Sequence, residues 1–132
     1  MSQFELHVNF LITLIEVYSA SGKNNRATAS NLVASVRNLH FYGTVLQSSI
    51  DRKLSELSRV TSDTSNDRKI ESIRDAVVCV EVVVLQLRVI ELELNGVDVA
   101  NRVEKKRVEA TVASLFNRID QLAERLRQIL KS

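Results

Sequence analysis

The sequence predicts an all-α fold: an antiparallel helical bundle of three long helices plus one shorter N-terminal helix, forming a single domain over residues 1–132. Three observations carry this. Apolar residues recur at gaps of three and four through long stretches. The chain has no Pro, no Trp and only 3 Gly, which leaves few of the turn-makers and large aromatic anchors that compact β domains use. Its 132 residues match one domain, at which length roughly two-thirds of the unfolded surface can be buried.

The first segment, from about Gln3 to Ala20, has Phe4, Val8, Leu11, Ile12 and Ile15 at helical spacing. Leu6, Phe10, Leu14 and Val17 add apolar residues around the rest, so this helix is expected to be mostly buried, covering one end or groove of the bundle. Ser21-Gly22 reads as its stop and Lys23 to Arg26 as a loop. The second segment starts near Thr28 or Ser30, either able to cap a first turn. It carries Leu32, Val36, Leu39, Gly43, Leu46, Ile50, Leu54 and Leu57 at nearly heptad spacing. Gly43 on that seam costs roughly 1 kcal/mol against Ala, and is tolerated best where a neighbouring helix comes close; a mild kink is the alternative. Thr61 to Asn66 reads as a loop, with Asn66 or Asp67 as the next cap.

The third segment shows Ile70, Ile73, Val77, Val80, Val84, Leu87 and Leu94 on one seam and Val78, Val82, Leu85, Val89 and Leu92 on a second. Two seams predict a central helix with neighbours on both sides, the most buried of the bundle. Glu91 interrupts the first seam, where a carboxylate must reach solvent or pair with a cation. The stretch Leu92 to Val99 also alternates around Asn95-Gly96, a strong hairpin signal. A helix stop is preferred there, because the seam from Ile70 is longer than a typical strand and Asp98 can cap the next helix. The fourth segment, from about Val99 to Leu130, aligns Val108, Val112, Leu115, Ile119, Leu122, Leu126 and Ile129, opposite a heavily charged face.

The residues exclude more functions than they specify. Net charge is +2, too balanced to point to nucleic acid or membrane on global grounds. Both long apolar runs are interrupted by charges, so neither reads as transmembrane, and the N-terminus lacks the basic region of a signal peptide. Cys79 is the only cysteine; in its valine run it reads as a buried, inert thiol, and the expected location is cytoplasmic, in a reducing compartment. His7 and His40 lie on different helices with no Cys or carboxylate at ligand spacing, and no Gly-rich phosphate loop exists, so neither metal nor cofactor is expected. Arg37 and His40 sit closer together than the Arg and His of helical-bundle ribonucleases. No carboxylate pair stands out for acid/base work, and no enzyme activity is expected.

Residues 98–132 hold eight Lys+Arg against five Asp+Glu, a surplus of three. The ridge Arg102, Lys105, Lys106 and Arg107 is the candidate phosphate-tracking feature, although acidic residues interleave and no exposed aromatics accompany it. Ser2-Gln3-Phe4 and Arg107 to Ala113 are similar to stretches of rod-shaped plant virus coat proteins. They cover ten residues, the Pro- and aromatic-rich centre of that family is missing, and no site residue is carried over.

The function expected is a non-enzymatic helical interaction or assembly module, self-associating as a homo-oligomer or docking a protein partner in a structural or inhibitory role. Leu39, Gly43, Leu46 and Ile50, with Leu115, Ile119, Leu122 and Leu126, are the residues expected to pack between helices or chains. The alternative is a small nucleic-acid-associated subunit using the basic ridge.

Overall fold

A computed structural model describes residues 3–27, 32–60, 67–95 and 102–131. Among these residues the chain is four helices and no strand: α1 (Gln3–Ala27), α2 (Leu32–Val60), α3 (Asp67–Leu94) and α4 (Arg102–Lys131). Each helix packs mainly on two others, in the cyclic order α1, α2, α3, α4 and back to α1. Cross-helix pairs fall in regular succession. Between α1 and α2, His7 meets Glu56, Lys53 lies over the Phe10 ring, and Tyr18 reaches Leu39. Between α2 and α3, Arg74 meets Ser58 and Arg37 meets Glu91.

The seams of α2 and α4 behave as their spacing predicts. Leu32, Val36, Leu39, Leu46, Ile50 and Leu57 are buried, as are Val108, Val112, Leu115, Ile119, Leu122 and Leu126. Leu54 and Ile129 pack against the same core at its margin. In α3 the first seam is buried throughout, joined by Ala76, Val83 and Ile90.

Three expectations need correcting. First, α1 does not stop at Ser21-Gly22. It continues to Ala27, giving 25 residues beside the 28 to 30 of α3 and α4. It is therefore a full side of the bundle, not a short helix over one end. Gly22 is present for a different reason than chain termination: a β-carbon there would run into the ring of Phe116 on α4. Second, α1 is buried on one side only, since Leu6, Phe10 and Val17 are exposed. Third, the second seam of α3 faces solvent and not a second set of neighbours.

The hairpin alternative fails where it can be read. Leu92 to Leu94 are helical, and the Asn95 N–H donates to the Glu91 carbonyl at 3.3 Å, continuing the helical pattern by one residue. Gly96 to Asn101 lie outside the described residues, as do the expected caps Thr28, Ser30, Asn66 and Asp98. Asp67 opens the first turn of α3, where a carboxylate complements the helix dipole.

At the centre, Tyr18 of α1 and Phe116 of α4 are buried with ring centroids 5.2 Å apart and planes tilted by 52°, a favoured aromatic geometry. The Tyr18 hydroxyl donates to the Leu39 carbonyl of α2 at 2.9 Å. That approach depends on Gly43, where a β-carbon would lie 2.7 Å from the Tyr18 hydroxyl and 2.8 Å from Val84 Cγ2 of α3. Gly43 thus marks close helix approach, the first of the two readings its position allowed. A polar ladder closes α1 on α4: Arg127 bonds Glu16, the Ser19 hydroxyl bonds Asp120, and Lys23 Nζ lies 2.9 Å from Asp120.

Two outcomes follow from this centre. Gly22→Ala is expected to lower unfolding stability by about 1–3 kcal/mol in urea titration, even though alanine is the better helix former by about 1 kcal/mol. Adding Phe116→Leu should recover part of that loss as a non-additive pair. Burial pushes the Tyr18 hydroxyl well above the usual tyrosine range. The unfolded chain ionises near pH ~10 while the fold retains the proton, so this contribution is present below that pH and lost as pH rises. Tyr18→Phe should cost about 1 kcal/mol at neutral pH and show a shallower loss of stability in alkaline melts.

Candidate interaction surface

In a four-membered ring of helices, each helix reaches both neighbours through one inward arc, and a side chain on the opposite side has nothing of its own chain to cover it. On α3 that outward side is apolar. Val78, Val82, Leu85, Val89 and Leu92 are 48%, 39%, 65%, 54% and 55% exposed. Their gaps of four, three, four and three turn them into one straight stripe along the helix. Scattered exposed apolar residues are ordinary on protein surfaces, whereas a continuous stripe is not.

Shallow grooves border the stripe. On one side, Val78 and Val82 share a groove with Cys79, Arg118 and Arg125 of about 380 Å³. Further along, Val89 and Glu93 line another with Arg107 and Arg118. On the α2 side, Val78 and Glu81 face Asp51, Ser58 and Arg59. The apolar strip therefore has an arginine-bearing shoulder on α4 and a mixed-charge shoulder on α2. Cys79 is half-buried at the edge of this face, more accessible than a core thiol.

A second apolar area lies between α1 and α2, where Val17, Tyr42 and Val45 rim a groove of about 310 Å³ floored by Leu14 and Leu46. Of its rim, Tyr42 has Phe41 packed edge-on against it at 5.5 Å; elsewhere between α1 and α2, Lys53 Nζ sits 4.4 Å over the exposed Phe10 ring. The area is less continuous than the α3 stripe.

The eight residues expected to pack between helices or chains all lie inside this chain's own core. Leu39, Gly43, Leu46, Ile50, Leu115, Ile119, Leu122 and Leu126 are buried between helices. The exposed apolar surface is carried by other residues. Of the basic ridge, Arg102 begins α4, Lys105 is half-buried, Lys106 is exposed, and Arg107 is exposed while meeting Glu93 of α3 at 3.5 Å.

One polar cluster was not foreseen as a unit. Glu91, buried, draws together Arg37 Nε at 3.5 Å, His40 Nδ1 at 3.4 Å and Arg88 at 3.9 Å. The carboxylate does have the cation its seam position demanded, and His40 supplies a third neighbour from α2. The arrangement joins the end of α3 to the start of α2. Among the described residues no group of three or more His, Cys, Asp or Glu converges as metal ligands, and no helix is long and apolar enough to cross a membrane. Elsewhere, the Lys53 ammonium bonded to Glu56 holds that carboxyl below its ordinary range, and Arg127 does the same for Glu124. Comparison of the chain with protein-family models, curated proteins and solved structures finds no match.

Glu91 loses its water on burial while Arg37 and Arg88 stay more than half exposed, so their screened attraction only partly offsets that loss. Glu91→Met, similar in length and apolar, is therefore expected to keep the unfolding free energy within about 1 kcal/mol of the parent or raise it. A loss above about 3 kcal/mol in chemical denaturation would mean that the cluster holds α2 to α3.

Proposed function

We propose that this chain is a non-enzymatic helical interaction module, an antiparallel four-helix bundle that presents the outward face of α3 to another protein helix. The observation that carries the reading is the heptad-spaced stripe Val78, Val82, Leu85, Val89 and Leu92, exposed along one side of a helix whose opposite side is fully buried. A helix-in-groove or helix-on-helix partner recognises anchors at this spacing. The antiparallel arrangement is supported by the cross-helix pairs: His7 with Glu56 and Tyr18 with Leu39, then Arg37 with Glu91 and Ser58 with Arg74. The single free thiol, Cys79, fits a reducing compartment.

Because the stripe is outside the core, substitutions there separate folding from association. The double variant Leu85→Lys/Val89→Lys should keep its helical circular dichroism and unfold within about 0.5 kcal/mol of the parent. Its association, followed by sedimentation equilibrium or by recovery of a partner from native extract, should disappear. A parent chain that stays strictly monomeric at high concentration and recovers no partner sinks the reading. Binding that falls steeply with salt, survives the double variant and is lost on charge reversal at Lys105, Lys106 and Arg107 would instead assign the chain to nucleic acid.

A further inference from the structure

The α3 stripe has the internal order of one strand of a two-stranded coiled coil. Setting Val82 and Val89 at the a positions of the heptad places Val78, Leu85 and Leu92 at d. β-Branched residues at a with leucine at d favour two parallel strands. The flanking g positions are Glu81 and Arg88, and the flanking e positions are Cys79, Gln86 and Glu93. We propose that the occupant of the stripe is a second copy of this chain, paired α3 to α3 in parallel about a two-fold axis, with Arg88 of each copy facing Glu93 of the other. This rests on the reading of the stripe as an interaction surface.

Register selects this pairing, and the charges on its borders are compatible with it. In the parallel arrangement every stripe residue meets its own counterpart, so all the layers are apolar. A g residue then faces the e residue five positions on in the other strand, which brings Arg88 to Glu93 twice. Two antiparallel registers are the competitors. Setting Val82 opposite Leu85 puts Leu92 against Asp75, an apolar layer facing a carboxylate. Setting Leu85 opposite Val89 puts Arg88 against Arg88 and leaves Val78 without a layer.

Both charges have the freedom to turn outward. The Arg88 side chain is 54% exposed with its nearest carboxylate at 3.9 Å, and that of Glu93 is 47% exposed with Arg107 at 3.5 Å, both longer than a strong charged hydrogen bond. Toward the start of α3 the same face continues as Asp75 and Glu71, both exposed. Like charges meeting there end the seam and confine it to residues 78–92, a length of about 21 Å at ~1.5 Å per residue. A contact of that extent makes a reversible dimer.

The test uses the full chain carrying Cys79→Ser, so that any added cysteine is the only thiol. Leu92→Cys should form an intermolecular disulfide under mild oxidation about tenfold or more faster than Gln128→Cys on the exposed face of α4, because pairing holds the two sulfurs together. In sedimentation, Glu93→Lys should weaken the dimer by about tenfold at low salt, with the loss relieved as salt rises. A dimer in which Leu92→Cys does not self-link, but mixing Leu92→Cys with Asp75→Cys gives a mixed disulfide, overturns the parallel pairing and leaves the interaction surface standing. A monomer at all concentrations overturns self-pairing; if the parent also recovers no stripe-dependent partner, the interaction reading falls with it.

Discussion

Two glycines in mid-helix and the two aromatic rings they admit set the spacing of the whole bundle. Phe116 lies against the α1 backbone at Gly22, and the Tyr18 hydroxyl reaches the α2 backbone beside Gly43. The rings touch each other, so α1, α2 and α4 are tied through one aromatic pair, and Val84 brings α3 to the same glycine. Each glycine weakens its own helix locally. The gain is a close approach that permits a large ring to be buried against a neighbouring backbone, and close packing is what makes interiors stable. With the axes held at that distance, the leucine, isoleucine and valine seams interdigitate as their spacing requires.

That closure decides what is left outside. Once α3 has α2 and α4 as neighbours, its inward arc is fully used, and the seam on its other side can only face water. Glu91 is explained by the same geometry. It lies on the inward seam but at the last turn of α3, where Arg37 and His40 of α2 and Arg88 of its own helix can reach it. The position tolerates a carboxylate because Arg37 of the adjoining helix and Arg88 of its own arrive there, not because the site is open to solvent.

Much of this was legible in the residues. Helix periodicity identified all four helices, the buried seams of α2 and α4 and the inward seam of α3, because three- and four-residue gaps report a helical face directly. Periodicity does not report what covers a face. The second seam of α3 therefore read as covered by a second internal neighbour, and the seam residues of α2 and α4 read as packing between helices or between chains without deciding which, when the bundle buries the latter and leaves the former exposed. Gly22 was misread for a related reason. A glycine followed by Lys-Asn-Asn has the local chemistry of a helix stop, and only the ring of Phe116, 94 positions away in sequence, reveals the tertiary demand that overrides it. The Glu91 cluster was half-visible: the need for a cation follows from burial, but which cations answer it depends on how α2 sits against α3.

The composition of the stripe sets it apart from the rest of the surface. Valine on a solvent-facing helical surface is a poor choice for folding alone, losing roughly 0.5 kcal/mol per residue relative to alanine, and Val78, Val82 and Val89 all incur it while remaining about half exposed. Burial of the other half of each side chain offsets that cost, but the exposed half stays in water. The isolated Leu6 or Val103 is ordinary surface variation by comparison. A run that keeps heptad order over about four turns, with valine at 78, 82 and 89, leucine at 85 and 92 and opposite charges on its borders, differs from such isolated residues in its continuity. Glu71 and Asp75 occupy the same face one turn earlier and would repel a partner's acids there, which gives the surface an end as well as a direction.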